Sequence, residues 1–215
     1  MPTKHLFAAA IVGLAAASFS YADRAQAVTY GVTGFEGLAS ELAIGEAQFF
    51  IDVTDATGGL VDFTFRNVGP AASSITRVYF EDSIPLFSNV RSVFAQSDDV
   101  NFVFDVNPAN IPGGVDISFA ADFNAGSTAP VEPNGVHPDQ FVTIRLGLLE
   151  QFSYASVLGA IGDSDLRIGV RAQGLPGSAG FVNNPAPIPL PAAAWMLLSA
   201  LGGLGLLGFR RKQTA

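Results

Sequence analysis

Hydrophobic and polar residues alternate along two neighbouring segments, Ala47–Asp55 and Leu60–Val68. Successive residues of a β-strand point to opposite faces of the sheet, so each segment has one apolar face and one polar face. The apolar faces carry Phe49, Ile51 and Val53 in the first segment and Val61, Phe63 and Phe65 in the second. The four residues between the segments read Ala-Thr-Gly-Gly, which is a turn sequence. The pattern predicts a β-hairpin over residues 47–68.

Short segments of the same kind continue on both sides of this hairpin, separated by Gly-, Pro- and Asn-rich turns such as 124–126. They predict strands at Val28–Val32 (a first edge strand), Ser74–Glu81, Val90–Ala95, Val100–Val106, Val115–Phe123, Gln140–Leu148 and Arg167–Ala172. Residues 34–45 are ambiguous, and helical spacing predicts one short helix at Phe152–Ile161. Strands with one apolar face each must bury it, so we expect an all-β domain, an antiparallel β-sandwich.

The N-terminal segment has the organisation of a secretory signal. Lys4 precedes an apolar run, Leu6–Phe19, and Ala25 and Ala27 provide the small-x-small pattern that signal peptidase requires. The run is short for a membrane span. We therefore predict a cleaved signal peptide over 1–27.

The C-terminal segment has three parts in a fixed order. Alternate prolines over 185–191 predict an extended spacer, because proline fixes φ and removes a hydrogen-bond donor. Residues 192–209 carry no charge, and 18 helical residues span roughly 27 Å, close to the thickness of a bilayer core. The run stops at a basic tail, 210–215, that contains Arg210, Arg211 and Lys212. We predict a transmembrane helix over 192–209, with the tail in the cytoplasm.

This tripartite ending resembles the PEP-CTERM sorting signal in its Val-Pro-Leu-Pro-Ala variant. The residues that carry the resemblance are Pro187, Ile188, Pro189, Leu190, Pro191 and Ala192, followed by the apolar run and the basic cluster. Ile188 replaces the valine of the variant, and Leu190 stands where the parent motif has glutamate. The resemblance implies a protein of the Gram-negative inner membrane with a periplasmic domain, processed by an exosortase-type protease and moved to the cell surface or outside the cell. A plain single-pass anchor is the alternative.

Composition restricts what the predicted ectodomain, 28–184, can bind. It holds eighteen acidic residues, six arginines and no lysine, a net charge of −12. Nucleic acids require a basic surface, so we expect no nucleic-acid partner. The chain has no cysteine, which excludes disulfides, thiol catalysis and cysteine-based zinc sites.

Candidate chemistry is sparse in this segment. His137 is its only histidine, so any Ser-His-Asp triad would need it as the base. It lies between turn residues, and no Gly-x-Ser-x-Gly motif is present, so we interpret it as a loop histidine and expect no catalytic site. Asp163 and Asp165 are weak candidates for calcium ligands, because two carboxylates of an Asp-x-Asp pair lie close together. Aspartate also favours turns, which is the simpler interpretation.

Phenylalanine is unusually frequent, with eighteen in the chain. Several of them could line a ligand groove, but alternate phenylalanines of strands more often form a core; these are Phe80, Phe102, Phe104, Phe119 and Phe123. We expect an exposed apolar patch within Ser83–Phe94.

Two functions remain compatible with the sequence. The first is an exported structural or adhesive protein, whose partners are signal peptidase, the exosortase-type protease and inner-membrane lipid. The resemblance also implies a link to extracellular polysaccharide and biofilm material. The second is an extracellular module that binds a carbohydrate or small ligand, with calcium as its only candidate cofactor.

Overall fold

The computed structural model describes residues 27–187, which form an all-β domain with two helices. The ten strands are β1 (Val28–Glu36), β2 (Phe49–Asp55), β3 (Leu60–Asn67), β4 (Ser74–Asp82), β5 (Phe87–Gln96), β6 (Phe102–Phe104), β7 (Phe123–Ser127), β8 (Gln140–Leu148), β9 (Leu166–Gln173) and β10 (Ala179–Pro187). The helices are α1 (Ala39–Gln48) and α2 (Tyr154–Asp163), and one 3₁₀ turn spans Gly114–Ile117. The predicted all-β antiparallel class is confirmed.

All ten strands belong to one antiparallel sheet in the order β5-β8-β3-β2-β1-β10-β9-β4-β7-β6. The sheet curls around its apolar interior until its two end strands, β5 and β6, lie close to each other. The expectation of two separate sheets, as in a sandwich, is therefore corrected to one continuous sheet.

Strand β1 is the reason for this continuity. Its first three residues, 28–30, pair with β2, and its remainder from Tyr30 onwards pairs with β10. The register shifts after Tyr30, and such irregularities let one strand pass from one wall of a fold to the other. The prediction of β1 as an edge strand is wrong, because β1 joins the two halves of the sheet.

The predicted hairpin is confirmed as β2 and β3, which pair antiparallel. Its apolar face is buried at all six predicted positions, from Phe49 to Phe65. The opposite face carries cross-strand ion pairs: the guanidinium of Arg66 donates to both carboxylate oxygens of Asp52, and that of Arg145 on β8 donates to both oxygens of Asp62.

Aromatic rings fill much of the interior. Phe80 is fully buried, and its ring centroid lies 5.3 Å from that of Phe63 and 6.1 Å from that of Phe65, both edge-to-face. Phe80 also stacks on Phe123 at 4.9 Å. Phe102 and Phe119 are buried as well, whereas Phe104 and Phe123 are half-buried. The core interpretation is confirmed for Phe80 and Phe102, whereas Phe119 is buried in a separate small cluster outside the interior.

Both helices contact β10, and α1 also contacts β1 whereas α2 also contacts β9. The ambiguous stretch 34–45 resolves into the end of β1 and most of α1, and this helix delays the start of β2 to Phe49. Gly45 of α1 lies against the ring of Phe181, where a Cβ atom would come within 2.1 Å of the ring. The predicted helix at 152–161 is confirmed as α2, displaced by two residues, with Ser153 as its N-cap.

The predicted strand Val115–Phe123 is wrong. The segment forms the 3₁₀ turn and a loop, and Val115 is 84% exposed. Gly113, at φ +72°, begins this turn, and the loop packs Ile111 and Phe119 against Tyr79 on the outer side of β4. Residues 124–126, predicted as a turn, are part of β7. Apolar residues at alternate positions were here buried by a loop rather than by a strand.

Strand β10 was not predicted and continues through residues 185–187, the first part of the expected spacer. The backbone there is extended, as predicted, but it pairs with β1, with Pro187 opposite Tyr30. The signal peptide up to residue 26, the remainder of the spacer, the helix predicted at 192–209 and the basic tail lie outside the described residues. Within 27–187, no helix is long and apolar enough to cross a membrane.

Candidate functional site

The two ends of the sheet meet without main-chain pairing. Strand β5 pairs with β8, and β6 pairs with β7, but no ladder joins β5 to β6 or β7 in the described part of the chain. We call this junction the seam. Side chains bridge it: the Oε1 atom of Gln96 accepts a hydrogen bond from the Phe102 N–H at 3.2 Å, and the ring of Phe87 lies edge-on to that of Phe123.

Arg91 occupies the middle of the seam. Its guanidinium carbon lies 5.0 Å from the ring centroid of Phe123 and 5.7 Å from that of Phe104, so two aromatic rings hold it by cation–π contact. Its ion pair with Asp105 is long, at 3.7 Å, and the Asp105 side chain is 72% exposed. The guanidinium donates no hydrogen bond to another residue of the described chain. Its position is therefore fixed while its donors remain available.

An open cleft of about 250 Å³ lies along the seam beside this guanidinium. It is formed where β4 ends, β5 begins and β7 begins, and its lining residues are Asp82, Pro85, Phe87, Ser88, Asn89, Arg91, Asp122 and Phe123. Five of these eight residues come from the segment Ser83–Phe94, in which we expected an apolar patch. That patch is present in part: Ile84, Val90 and Phe94 are exposed, whereas Leu86 is fully buried.

Asp82 holds the wall of the cleft in place. Its Oδ2 atom accepts hydrogen bonds from the backbone N–H groups of Leu86 and Phe87, at 2.7 and 3.2 Å. Its Oδ1 atom is buried and has no hydrogen-bond partner in the described chain. Burial raises the pKa of Asp82, the two backbone hydrogen bonds lower it, and the charge of Asp122 raises it. Neither oxygen of Asp82 is available to a ligand.

Asp122 and Asn89 are the exposed polar groups of the cleft. The Oδ2 atom of Asp122 accepts from the backbone N–H of Asp82 at 2.7 Å, and its Oδ1 atom accepts no bond from another described residue. Asn89 is exposed and makes no side-chain hydrogen bond there. Ser88, by contrast, already donates to the carbonyl of Gly147. The cleft thus offers one guanidinium, one carboxylate oxygen and one amide above partly apolar walls.

His137 lies in the loop between β7 and β8, as predicted for a loop histidine. Its Nε2 atom is 3.3 Å from the carbonyl of Pro133, and its Nδ1 atom is 3.9 Å from a carboxylate oxygen of Glu132. Among the described residues, no serine forms a hydrogen bond with its ring. Nothing in this geometry assembles a triad.

The two calcium candidates lie at the end of α2. Asp163 is its last residue and is exposed, and Asp165 follows Ser164, which has the left-handed backbone of a helix C-cap. The backbone N–H of Asp165 donates to the carbonyl of Ala160. Within 27–187, no group of three or more His, Cys, Asp or Glu side chains converges to hold a metal ion. Calcium binding stays a prediction, with Asp163 and Asp165 as the two candidate ligands.

Most residues of the predicted processing sites are not placed. Ala27 is exposed just before β1, and Pro187 ends β10. The other predicted processing and membrane-stop residues lie outside the described part of the chain: Ala25, Ile188, Pro189, Leu190, Pro191, Ala192, Arg210, Arg211 and Lys212.

Sequence reasoning missed the residues that form the cleft. Asn89 and Arg91 lie on β5 and Asp122 directly precedes β7; these segments are distant in sequence and meet because the sheet curls. The one local signal was Arg91, the only charged residue in the otherwise uncharged stretch 83–97. Comparisons of the chain with protein-family models, with curated proteins and with solved structures give no match.

Proposed function

We propose that this chain is an exported structural or adhesive protein, held in the inner membrane by its C-terminal helix and released to the cell surface or the extracellular matrix after processing. The observation that carries the proposal is the order of parts in the sequence: signal peptide, β-domain, proline motif, apolar run and basic cluster. The motif begins where β10 ends, so a protease at the membrane would meet its substrate directly beside a folded domain.

The β-domain has properties that suit an extracellular role. Its stability relies on a phenylalanine-rich interior, since the chain has no cysteine. Its outer face carries bidentate arginine–aspartate pairs across neighbouring strands, at Asp52–Arg66 and Asp62–Arg145. A net charge of −12 over 28–184 keeps copies of the domain apart in solution.

The experiment is mass spectrometry of the C-terminus of protein recovered outside the cell. We expect a terminus at or near the motif, so that Ala215 is missing. Replacing Pro189, Leu190 and Pro191 with alanine should leave the intact chain in the membrane fraction. As a matched control, Pro185→Ala lies before the motif and should retain processing. An intact Ala215 on all extracellular material would leave only a permanent anchor.

A second function, binding of a carbohydrate or small ligand, is favoured by one observation, the cleft along the seam. Calcium dependence is testable separately. If Asp163 and Asp165 bind calcium, a chelator should lower the melting temperature, and replacing both with asparagine should abolish that effect. A chelator without effect on the unchanged protein would remove calcium from the proposal.

A further inference from the structure

Arg77 is the one arginine of the domain for which the described chain supplies no ion pair. Each of the other five lies 3.7 Å or less from a carboxylate oxygen: Arg66, Arg91, Arg145, Arg167 and Arg171. The Nε atom of Arg77 is buried and has no hydrogen-bond partner among the described residues. The residue as a whole is only half-buried, so a small molecule can reach its guanidinium. A buried cationic donor without an acceptor is costly, which points to a missing partner.

A second buried group beside Arg77 also lacks a partner. Tyr79 lies two residues further along β4, on the same outer face, and is fully buried under Ile111 and Phe119 of the loop. Its hydroxyl forms no hydrogen bond of normal geometry with another described residue. Burial raises the pKa of Tyr79, whereas the charges of Arg77 and Arg171 and the contact with Arg77 lower it, so the hydroxyl lies near both guanidinium groups.

An irregularity in β4 places the two arginines next to each other. Strand β4 advances by two residues, from Ile75 to Arg77, while β9 advances by only one, from Ala172 to Arg171. Such a bulge redirects the side chains that follow it, and here Ile75 and Ala172 lie in the interior whereas Arg77 lies opposite Arg171 on the outer face. Residues that oppose each other across antiparallel strands have Cβ atoms about 4.5–5.5 Å apart.

Only one of these two positive charges is uncompensated. The guanidinium of Arg171 donates to a carboxylate oxygen of Glu36 and to the hydroxyl of Ser178. The net charge that a ligand meets is therefore the single charge of Arg77. A ligand with one negative charge neutralises it, whereas a second negative charge would be repelled by the carboxylate of Glu36.

A carboxylate fits this arrangement of donors. It carries one negative charge on two oxygens, and a guanidinium donates two parallel hydrogen bonds to such a group. The hydroxyl of Tyr79 adds a third donor, because a carboxylate accepts more than two hydrogen bonds. From these contacts we infer that Arg77 and Tyr79 form a binding site for a single carboxylate group on the outer face of β4. The site shares no residue with the seam cleft, so the inference is independent of the functions proposed above.

The test is the NMR signal of the Arg77 Nε–H group, recorded on the full chain in mild detergent at pH 6 and identified by its loss in Arg77→Gln. Acetate, methyl glucuronide and sulfate are titrated at constant ionic strength with chloride as the balancing anion, and methyl glucoside is the neutral control. We expect acetate to shift the signal with a Kd on the order of 1 mM, as two hydrogen bonds to charged groups allow. Sulfate should bind about tenfold more weakly, because its second charge is uncompensated.

The glucuronide distinguishes the two sources of a carboxylate. If it binds more tightly than acetate, the natural ligand is an acidic saccharide; if the two bind equally, the site recognises the carboxylate alone. Methyl glucoside should leave the signal unshifted, because it has no negative charge.

Two variants test the donors, with the rise in melting temperature on addition of acetate as the measurement. Arg77→Gln should abolish this rise. Tyr79→Phe keeps the buried ring and removes only the hydroxyl, so it should weaken acetate binding about tenfold even if Arg77→Gln disturbs the fold. The matched control is Arg66→Gln, which should leave acetate binding unchanged because the guanidinium of Arg66 is already paired with Asp52. Far-UV circular dichroism verifies that each variant is folded.

The contrary results are distinct. If acetate leaves the Arg77 signal unshifted, or stabilises Tyr79→Phe as much as the parent chain, the site is refuted and water satisfies the two buried groups. If sulfate binds as tightly as acetate, the preference for a single carboxylate is wrong. Neither result bears on export or on the seam cleft, which are tested through other residues.

Discussion

Replacing Phe80 with alanine tests the architecture of the interior. Phe80 has no exposed surface, and its ring contacts three others, those of Phe63, Phe65 and Phe123. Phenylalanine-to-alanine changes in cores cost about 3–5 kcal/mol, because apolar area is lost and a cavity remains. Since three aromatic contacts disappear together, we expect a value of about 4–5 kcal/mol, in the upper part of that range.

Phe94 provides the matched control, because it is the same residue type on a strand of the same sheet. It is 53% exposed, and its main contact is the guanidinium of Arg145, whose carbon lies 3.2 Å from the ring centroid. An exposed cation–π contact contributes about 0.5–1 kcal/mol. We therefore expect Phe94→Ala to lower the free energy of unfolding by about 1 kcal/mol.

Both variants are compared with the parent chain by urea unfolding, followed by far-UV circular dichroism. The urea concentration at the unfolding midpoint should fall strongly for Phe80→Ala and slightly for Phe94→Ala. The slope of the unfolding free energy against urea concentration should stay the same. For a protein of this size, 4 kcal/mol corresponds to a decrease in melting temperature of about 8–16 °C. Equal losses in the two variants, or a loss below about 1.5 kcal/mol for Phe80→Ala, would refute the assignment of Phe80 to a closed interior.

Two further predictions concern the seam and its carboxylate. Amide hydrogen exchange should be slow at every paired position of β3, because β3 lies between β2 and β8. In β5, which pairs only with β8, exchange should be slow at alternate positions only. Uniform protection of β5 would mean that main-chain pairing closes the seam. Burial raises the pKa of Asp82 above its ordinary value, so the folded state binds this proton more tightly than the unfolded chain does. The contribution of Asp82 to stability therefore decreases as the pH rises through the pKa of the folded state. The stability of Asp82→Asn relative to the parent chain should therefore increase between pH 4 and pH 7, and a difference independent of pH would contradict this.

The sequence was most informative where a strand buries one face and a tight turn follows it. The hairpin of β2 and β3 and the bounds of β8 were predicted correctly, because alternation and turn residues agree there. Strand β10 was missed because its sequence, Ala-Gly-Phe-Val-Asn-Asn-Pro-Ala-Pro, contains residues that avoid strands in general. It is a strand because β1 and β9 flank it and supply its hydrogen bonds.

Alternation also could not distinguish one sheet from two. A strand can bury its apolar face equally well against a second sheet or against the opposite wall of its own sheet. The distinction depends on β1, which changes partner at Tyr30, and this change depends on contacts with β2 and β10 that are distant in the chain. The loop over β4 could not be predicted for the same reason. Ile111 and Phe119 are buried against Tyr79 of β4, which is distant from them in the chain.

The cleft follows from the same closure. A curled sheet that ends in strands of ten and three residues cannot pair its ends along their whole length, so side chains must close part of the junction. Strand β5 has irregular pairing on both sides of Arg91 and no fully buried residue. A long side chain that stacks on Phe104 and Phe123 can bridge such a gap, and arginine does so while its hydrogen-bond donors remain unused. The residue that completes the fold is therefore also the residue best placed to bind a ligand.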